Sequence, residues 1–308
     1  MFDHFVWEVV ICPALIAVVI RLLADRLRPE AAAIFLVTSL VATAAGCLLT
    51  LAAFALKAVA ELPFAASPLN ISAAYVRADT AREPWVSWLS LVLLVAAVAG
   101  IVRVWRTHRR DAAYARRFAG LPVAGDGVVL LDDERAEAFA VPGAPGRIVV
   151  TTGMRAALDD ARYAALLAHE RAHLTARHHV MVLLVHLSAA VHPAFRLLVR
   201  PFDYLIERAA DERAATEVDD RRVVAHAIGA AALVSEHTHR AGSLRIAPSR
   251  RDLRRAGAVP RRVASLIAPR RARSLLPLLL PAAVAAFSLA WTAECVLDLG
   301  ELLVAAHH

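Results

Sequence analysis

His169 and His173 stand four residues apart in the run LLAHERAHLTARHH, with Glu170 directly after the first of them. On a helix that spacing stacks two imidazoles one turn apart on a single face, where both could reach one ion. Glu170 would project beside them and could take a proton from an attacking water, so the expected chemistry is metal-assisted hydrolysis of an amide bond. Five residues do not establish such a site, because a hydrolytic zinc centre needs three protein ligands and one open position. Further along, YLIERAADERAA offers Glu207 and, one turn on, Asp211 on the same face. One of these carboxylates could bind the ion while the other holds the second nitrogen of a ligand imidazole. The spacing alone does not say which does which, and the same pattern also suits a solvated face built from i,i+4 pairs with Arg208 and Glu212. Ala209, Ala210, Ala214 and Ala215 are small enough to let this helix come close to the first. His178, His179, His186, His192 and His226 read as polar helix or boundary residues, one of them a candidate to assist the transition state.

These residues have to be positioned by helices and a small sheet. Asp159 is a candidate N-cap for a helix carrying Tyr163, Leu166, Leu167, His169 and His173. The apolar run Val180 to Val191 is short of a full membrane crossing and reads as a buried or membrane-abutting continuation, ended by His192-Pro193. A helix is expected from Ala194 to Glu217, interrupted at Pro201, and another from about Asp220 to Glu236. Upstream, the runs 127–131, 137–143 and 146–153 are punctuated by proline and glycine and predict a small antiparallel sheet or hairpin. Within it Ile148, Val149, Val150, Thr151 and Thr152 are expected to form an edge strand to which an extended substrate could add.

The rest of the chain reads as membrane. Of 308 residues 59% are hydrophobic, and the mean hydropathy of +0.54 exceeds that of an ordinary soluble globule. Four stretches are long and apolar enough to span a bilayer: about 6–23, 31–56, 85–105 with tryptophans near both ends, and 275–299. The first is not expected to be a cleaved signal, since its charge follows the apolar core. Arginine is concentrated after the first span (Arg21, Arg26, Arg28) and after the third (Arg103, Arg106, Arg109, Arg110, Arg116, Arg117). The loop between the second and third balances Lys57, Arg77 and Arg82 against Glu61, Asp79 and Glu83. The tail carries only Asp298 and Glu301. The positive-inside rule therefore predicts both termini outside and the long middle segment in the cytoplasm. The expected divisions are a membrane region over 1–105, a cytoplasmic domain over 106–273, and a fourth membrane helix with a short outer tail over 274–308.

Net charge of +7 invites a nucleic-acid reading. The basic run Arg250 to Ser274 lacks aromatic residues for base stacking and directly precedes a membrane helix, so topogenic or lipid-headgroup contact is expected in its place. Cys12, Cys47 and Cys295 lie in apolar stretches without metal-ligand spacing, which argues against a disulfide framework.

The combination AFAVPG, IVVTTGM followed by ALLAHERAHL, and ERAADERAA resembles the integral-membrane gluzincin peptidases, and most closely the BlaR/MecR-type β-lactam-sensing receptor proteases. Prenyl-protein and heat-shock membrane endopeptidases are related to these. The resemblance extends over nearly the whole chain. It implies a mainly α, multi-pass membrane protein with an α+β zincin-like domain between the third and fourth helices. It further implies one Zn2+ bound by His169, His173 and Glu207, with Glu170 as general base and Asp211 as support. A protein or peptide is the implied substrate, a cytoplasmic repressor and general membrane-protein quality control the candidate roles, and a homodimer the candidate assembly; no direct nucleic-acid binding is expected. A vestigial zinc site in a signalling protein is the rival, which retention of Glu170 opposes. The receptors continue past their fourth helix into an antibiotic-binding domain, and this sequence ends at His308, so β-lactam sensing is not expected of it.

Overall fold

The computed structural model describes residues 2–23, 28–79, 81–123, 127–241, 258–268 and 279–307. Four of its helices are long and apolar enough to cross a membrane: α1 (Phe2–Leu22), α2 (Pro29–Ala60), α3 (Trp85–Ala115) and a last one, Leu279–Ala305. The expected start of the last span at Leu275, and most of the basic run 250–274, lie outside the described residues, as does Arg26. Along α3 an apolar stripe that includes Trp88, Val92, Val95, Val98 and Trp105 is left exposed, as a lipid-facing surface requires. Inside α1 the stretch Val6–Ile11 is π-helical, closed by the Cys12 N–H bonding Trp7 O.

Between the third and fourth spans lie the elements that carry the candidate chemistry. Strands β1 (Val128–Leu131), β2 (Ala138–Val141) and β3 (Arg147–Thr151) form one sheet in the order β1-β3-β2. β2 and β3 make the expected antiparallel hairpin, but β1 joins β3 in parallel, so the sheet is mixed. This corrects the edge position expected for Ile148 to Thr152. Ile148, Val149, Val150 and Thr151 lie in the central strand, buried and paired on both sides, and Thr152 already belongs to the next helix.

The cause is the connection from β1 to β2, which crosses the end of β3. The Thr151 hydroxyl donates to Arg135 O and accepts from Glu137 N, while the Thr152 hydroxyl accepts from Asp133 N at 3.1 Å. Gly153 is needed there because a Cβ would strike the Glu134 carbonyl. The two threonines thus clasp a crossing loop, and the free edges among the described residues are those of β1 and β2.

The helices α4 (Thr152–Ala157), α5 (Asp160–Thr175), α6 (His178–Val191), α7 (Arg196–Glu217), α8 (Arg221–Ala241) and α9 (Ala258–Ile267) follow, and α10 (Leu279–Ala305) closes the chain. Pro201 sits inside α7 without interrupting it. Its missing N–H would have bonded Leu197, near the helix start, so the loss falls where helical bonding is weakest. The largest core joins Ile16 of α1, Leu36 and Leu40 of α2 and Val284 of α10 to Val185 of α6 and Leu198, Phe202, Leu205 and Ile206 of α7. The helices around the candidate site are therefore packed directly on the apolar spans.

Candidate metal centre

α5 begins where the Asp159 carboxylate accepts from Arg162 N at 2.8 Å, the expected N-cap. Its apolar face, with Leu166, Leu167 and Leu174, lies under the sheet against Val128, Ile148 and Val150. The other side, with Ala165 and Ala168, meets Ala214 and Ala215 of α7, and this alanine seam lets the two helices approach closely.

That approach brings the acidic pair to the histidines. His169 and His173 are both buried, with their Nε2 atoms 3.1 Å apart. Glu207 Oε2 lies 3.5 Å from His169 Nε2, and Oε1 lies 3.6 Å from His173 Nε2. Zinc bonded tetrahedrally at about 2.1 Å would hold its ligand atoms roughly 3.4 Å apart. The three donors, which also form the one candidate metal cluster among the described residues, fit that ion in type and spacing. Asp211 instead lies behind His169, its Oδ1 3.0 Å from Nδ1. Proximity distinguishes two positions that spacing left open: Glu207 faces both Nε2 atoms, and Asp211 stands beside the other nitrogen of one imidazole. Glu170 is half-buried on the same helix, in the electrostatic reach of Arg262.

Two residues of the site were not foreseen. His178 Nδ1 lies 2.9 Å from His173 Nδ1, so the second imidazole also has an orienting partner. The chain bends at Arg177, in the left-handed region with φ of 51°, and α6 leaves α5 at 57°. Had the helix continued, His178 would have pointed about 140° away from His173. Arg262 of α9 is buried and donates from Nε and Nη2 to the Asp211 carboxylate at 2.7 and 2.6 Å. Its Nη1 lies 3.0 Å from Glu207 Oε2. It belongs to the run expected to face lipid headgroups, and at this position that expectation is corrected. Of the remaining histidines, His192 accepts from Ala194 N and caps a short turn, His186 and His226 are exposed, and neither these nor His179 enters the cluster.

The electrostatics follow from this arrangement. Burial alone would push the His169 imidazole down, but Asp211 and Glu207 reverse that and raise it to about 9. Burial would raise the Asp211 carboxyl, yet Arg262 and His169 hold it below its ordinary range. The guanidinium is in turn held firmly charged, the pull of Asp211 and Glu207 exceeding the cost of its burial.

No curated protein and no solved structure matches the chain. Residues 104–241, which include His169, Glu170, His173, Glu207 and Asp211, match the model of peptidase family M48.

Proposed function

We propose that this chain is a membrane-embedded zinc endopeptidase that hydrolyses peptide bonds of protein substrates on the cytoplasmic side. The observation that carries the reading is the triangle of His169, His173 and Glu207 donors beside Glu170. Zinc held there would supply Lewis acidity toward the scissile carbonyl. Glu170 takes a proton from the attacking water and returns it to the leaving nitrogen. Asp211 and His178 keep the two ligand imidazoles turned toward the ion through their Nδ1 atoms. An extended substrate would pair with the open edge of β2, Ala138–Val141, which lies beside α5, in place of the segment Ile148 to Thr152 that the sequence suggested as the edge.

Arginine concentrated after the first and third spans supports a cytoplasmic site with both termini outside. Reporter fusions after Arg117 and after Leu303 should then read opposite compartments; the same compartment from both would overturn the sidedness. The resemblance to receptor proteases favours regulated cleavage of a repressor as the physiological use. Purified protein should contain one zinc per chain and cleave a protein substrate found by comparing the proteomes of cells producing the wild type and Glu170→Gln. Identical proteomes, with no cleavage by zinc-loaded protein, would reject the endopeptidase.

A further inference from the structure

The metal ligands and their carboxylate support lie on α5 and α7, but the charge that holds the acidic pair comes from α9. One guanidinium contacts both acidic side chains of the Glu207/Asp211 pair, forking onto Asp211 and reaching Glu207 Oε2 with its third nitrogen. Two carboxylates one turn apart repel each other, and burial strengthens that repulsion. Without a cation between them, they would turn apart, and Glu207 would lose the pose in which its two oxygens face the two histidine Nε2 atoms. A lysine could not replace this contact, since a single ammonium cannot present three nitrogens in a fixed plane.

α9 is docked by more than this contact. Arg261 stacks over the Tyr204 ring of α7 at 4.3 Å, Leu266 is buried in the alanine core around α5, α7 and α8, and Arg221 Nε donates to Leu266 O at 3.1 Å. The sequence then leads on to α10, the fourth apolar span, which packs against α1 and α2. Arg262 is thus the polar centre of the surface by which the segment preceding that span attaches to the metal site.

We propose that Arg262 is a positioning residue of the metal centre, setting Glu207 and Asp211 in their working orientations, so that docking of α9 and occupancy of the metal site stabilise each other. The inference rests on the zinc reading above. The coupling is reciprocal: whatever undocks α9 weakens the metal, and metal loss loosens α9.

The test uses the full-length protein in detergent, stripped of metal and titrated with zinc against a chromophoric chelator. Cobalt substitution gives a visible spectrum sensitive to the ligand set, and hydrogen exchange over 258–267 follows α9. Arg262→Lys keeps the charge and with it the fold, checked by thermal unfolding. Its zinc affinity is expected to fall by about 10- to 100-fold, with an altered cobalt spectrum and with exchange in α9 that zinc no longer slows. Arg262→Met should fall further in zinc affinity. Wild-type zinc affinity and an unchanged cobalt spectrum in a folded Arg262→Lys would overturn the positioning role. Exchange in wild-type α9 that is the same with and without zinc would overturn the coupling. A wild-type protein that binds neither metal would defeat the zinc reading first, and this inference with it.

Discussion

Two of the buried polar clusters among the described residues are built on opposite principles. At the metal centre, Asp211 and Glu207 are met by Arg262 and by the imidazole of His169, so opposite charges face each other at hydrogen-bonding distance. Among the apolar spans, Glu8 of α1 is met by hydroxyls: Ser288 Oγ of α10 donates to its Oε1 at 2.5 Å. Gly46 of α2 makes room for the group. A Cβ there would collide with Glu8 Oε1 and would stand 2.8 Å from Ser288 Oγ and 2.9 Å from Thr292 Oγ1. The first cluster sets carboxylates against a guanidinium and an imidazole, whereas the second joins three helices through small residues and hydroxyl hydrogen bonds, as packing in hydrocarbon favours. Substitutions should separate the two by kind of damage.

The largest effects are expected at the metal centre and in activity. Glu170→Gln should lower peptide cleavage by about 10²- to 10⁴-fold while keeping zinc, because the amide fills the same space but cannot accept a proton. Glu207→Ala should lose zinc and cleavage together, since two histidines leave the ion under-coordinated. Metal analysis of the two purified variants decides the division: full zinc in Glu207→Ala would remove that residue from the ligand set.

Next in size is the charge balance. Asp211→Asn leaves the buried Arg262 short of a counter-charge, and breaking such a pair costs about 3–5 kcal/mol. Unfolding of the metal-free variant in detergent measures it, and a loss below about 1 kcal/mol would mean that the cluster does not depend on opposite charge.

Protons should compete with zinc in the same cluster. In the metal-free protein His169 titrates near 9, above its ordinary value, because burial is outweighed by Asp211 and Glu207. The stability this adds is fully present below about pH 6.5 and is lost as pH rises through 9. Metal binding runs the other way, because the ion must displace the Nε2 proton. Zinc affinity should therefore climb by about tenfold per pH unit between 7 and 9 from this group alone. A flat profile across that range would show that His169 is already neutral when zinc arrives.

How much of this could be read in the sequence depended on whether spacing implies proximity. Along a helix it does, so His169, Glu170 and His173, and likewise Glu207 and Asp211, declared themselves by the helical period, and the alanine seam between their helices was visible too. Arg262 lies 51 residues beyond Asp211, in a run where many arginines look alike, and nothing local distinguishes the one that turns inward. His178 depended on a single left-handed residue at Arg177. The strand character of Ile148 to Thr151 was legible from its β-branched residues, but strand order was not. That order is set by a loop crossing over Thr151 and Thr152, a tertiary contact with no periodic signature. The joint between Glu8 and Ser288 spans 280 positions and lies in segments whose hydropathy signals only membrane.

Smaller effects are expected among the spans. Gly46→Leu should destabilise the bundle by about 1–3 kcal/mol, because the new side chain must push Glu8, Ser288 and Thr292 aside in a closely packed seam. Thermal unfolding in detergent would show the loss, and the cost should shrink when Glu8→Ala is added, since the two changes compete for one space. Strict additivity of the pair would mean that Gly46 serves something other than the Glu8 cradle.

The smallest effect is expected for Glu8→Gln, which makes at the second cluster the same carboxyl-to-amide change that Asp211→Asn makes at the first. Glutamine has nearly the same volume, its amide oxygen can accept from Ser288 Oγ as Glu8 does, and its amide hydrogens can turn toward the Thr292 hydroxyl. No buried guanidinium is left without a counter-charge, so the change should stay below about 1 kcal/mol. The pair of substitutions thus makes one chemical change, carboxyl to amide, in two surroundings of one molecule. If Glu8→Gln proves as costly as Asp211→Asn, the cluster between the spans depends on charge after all, and the contrast with the metal centre fails.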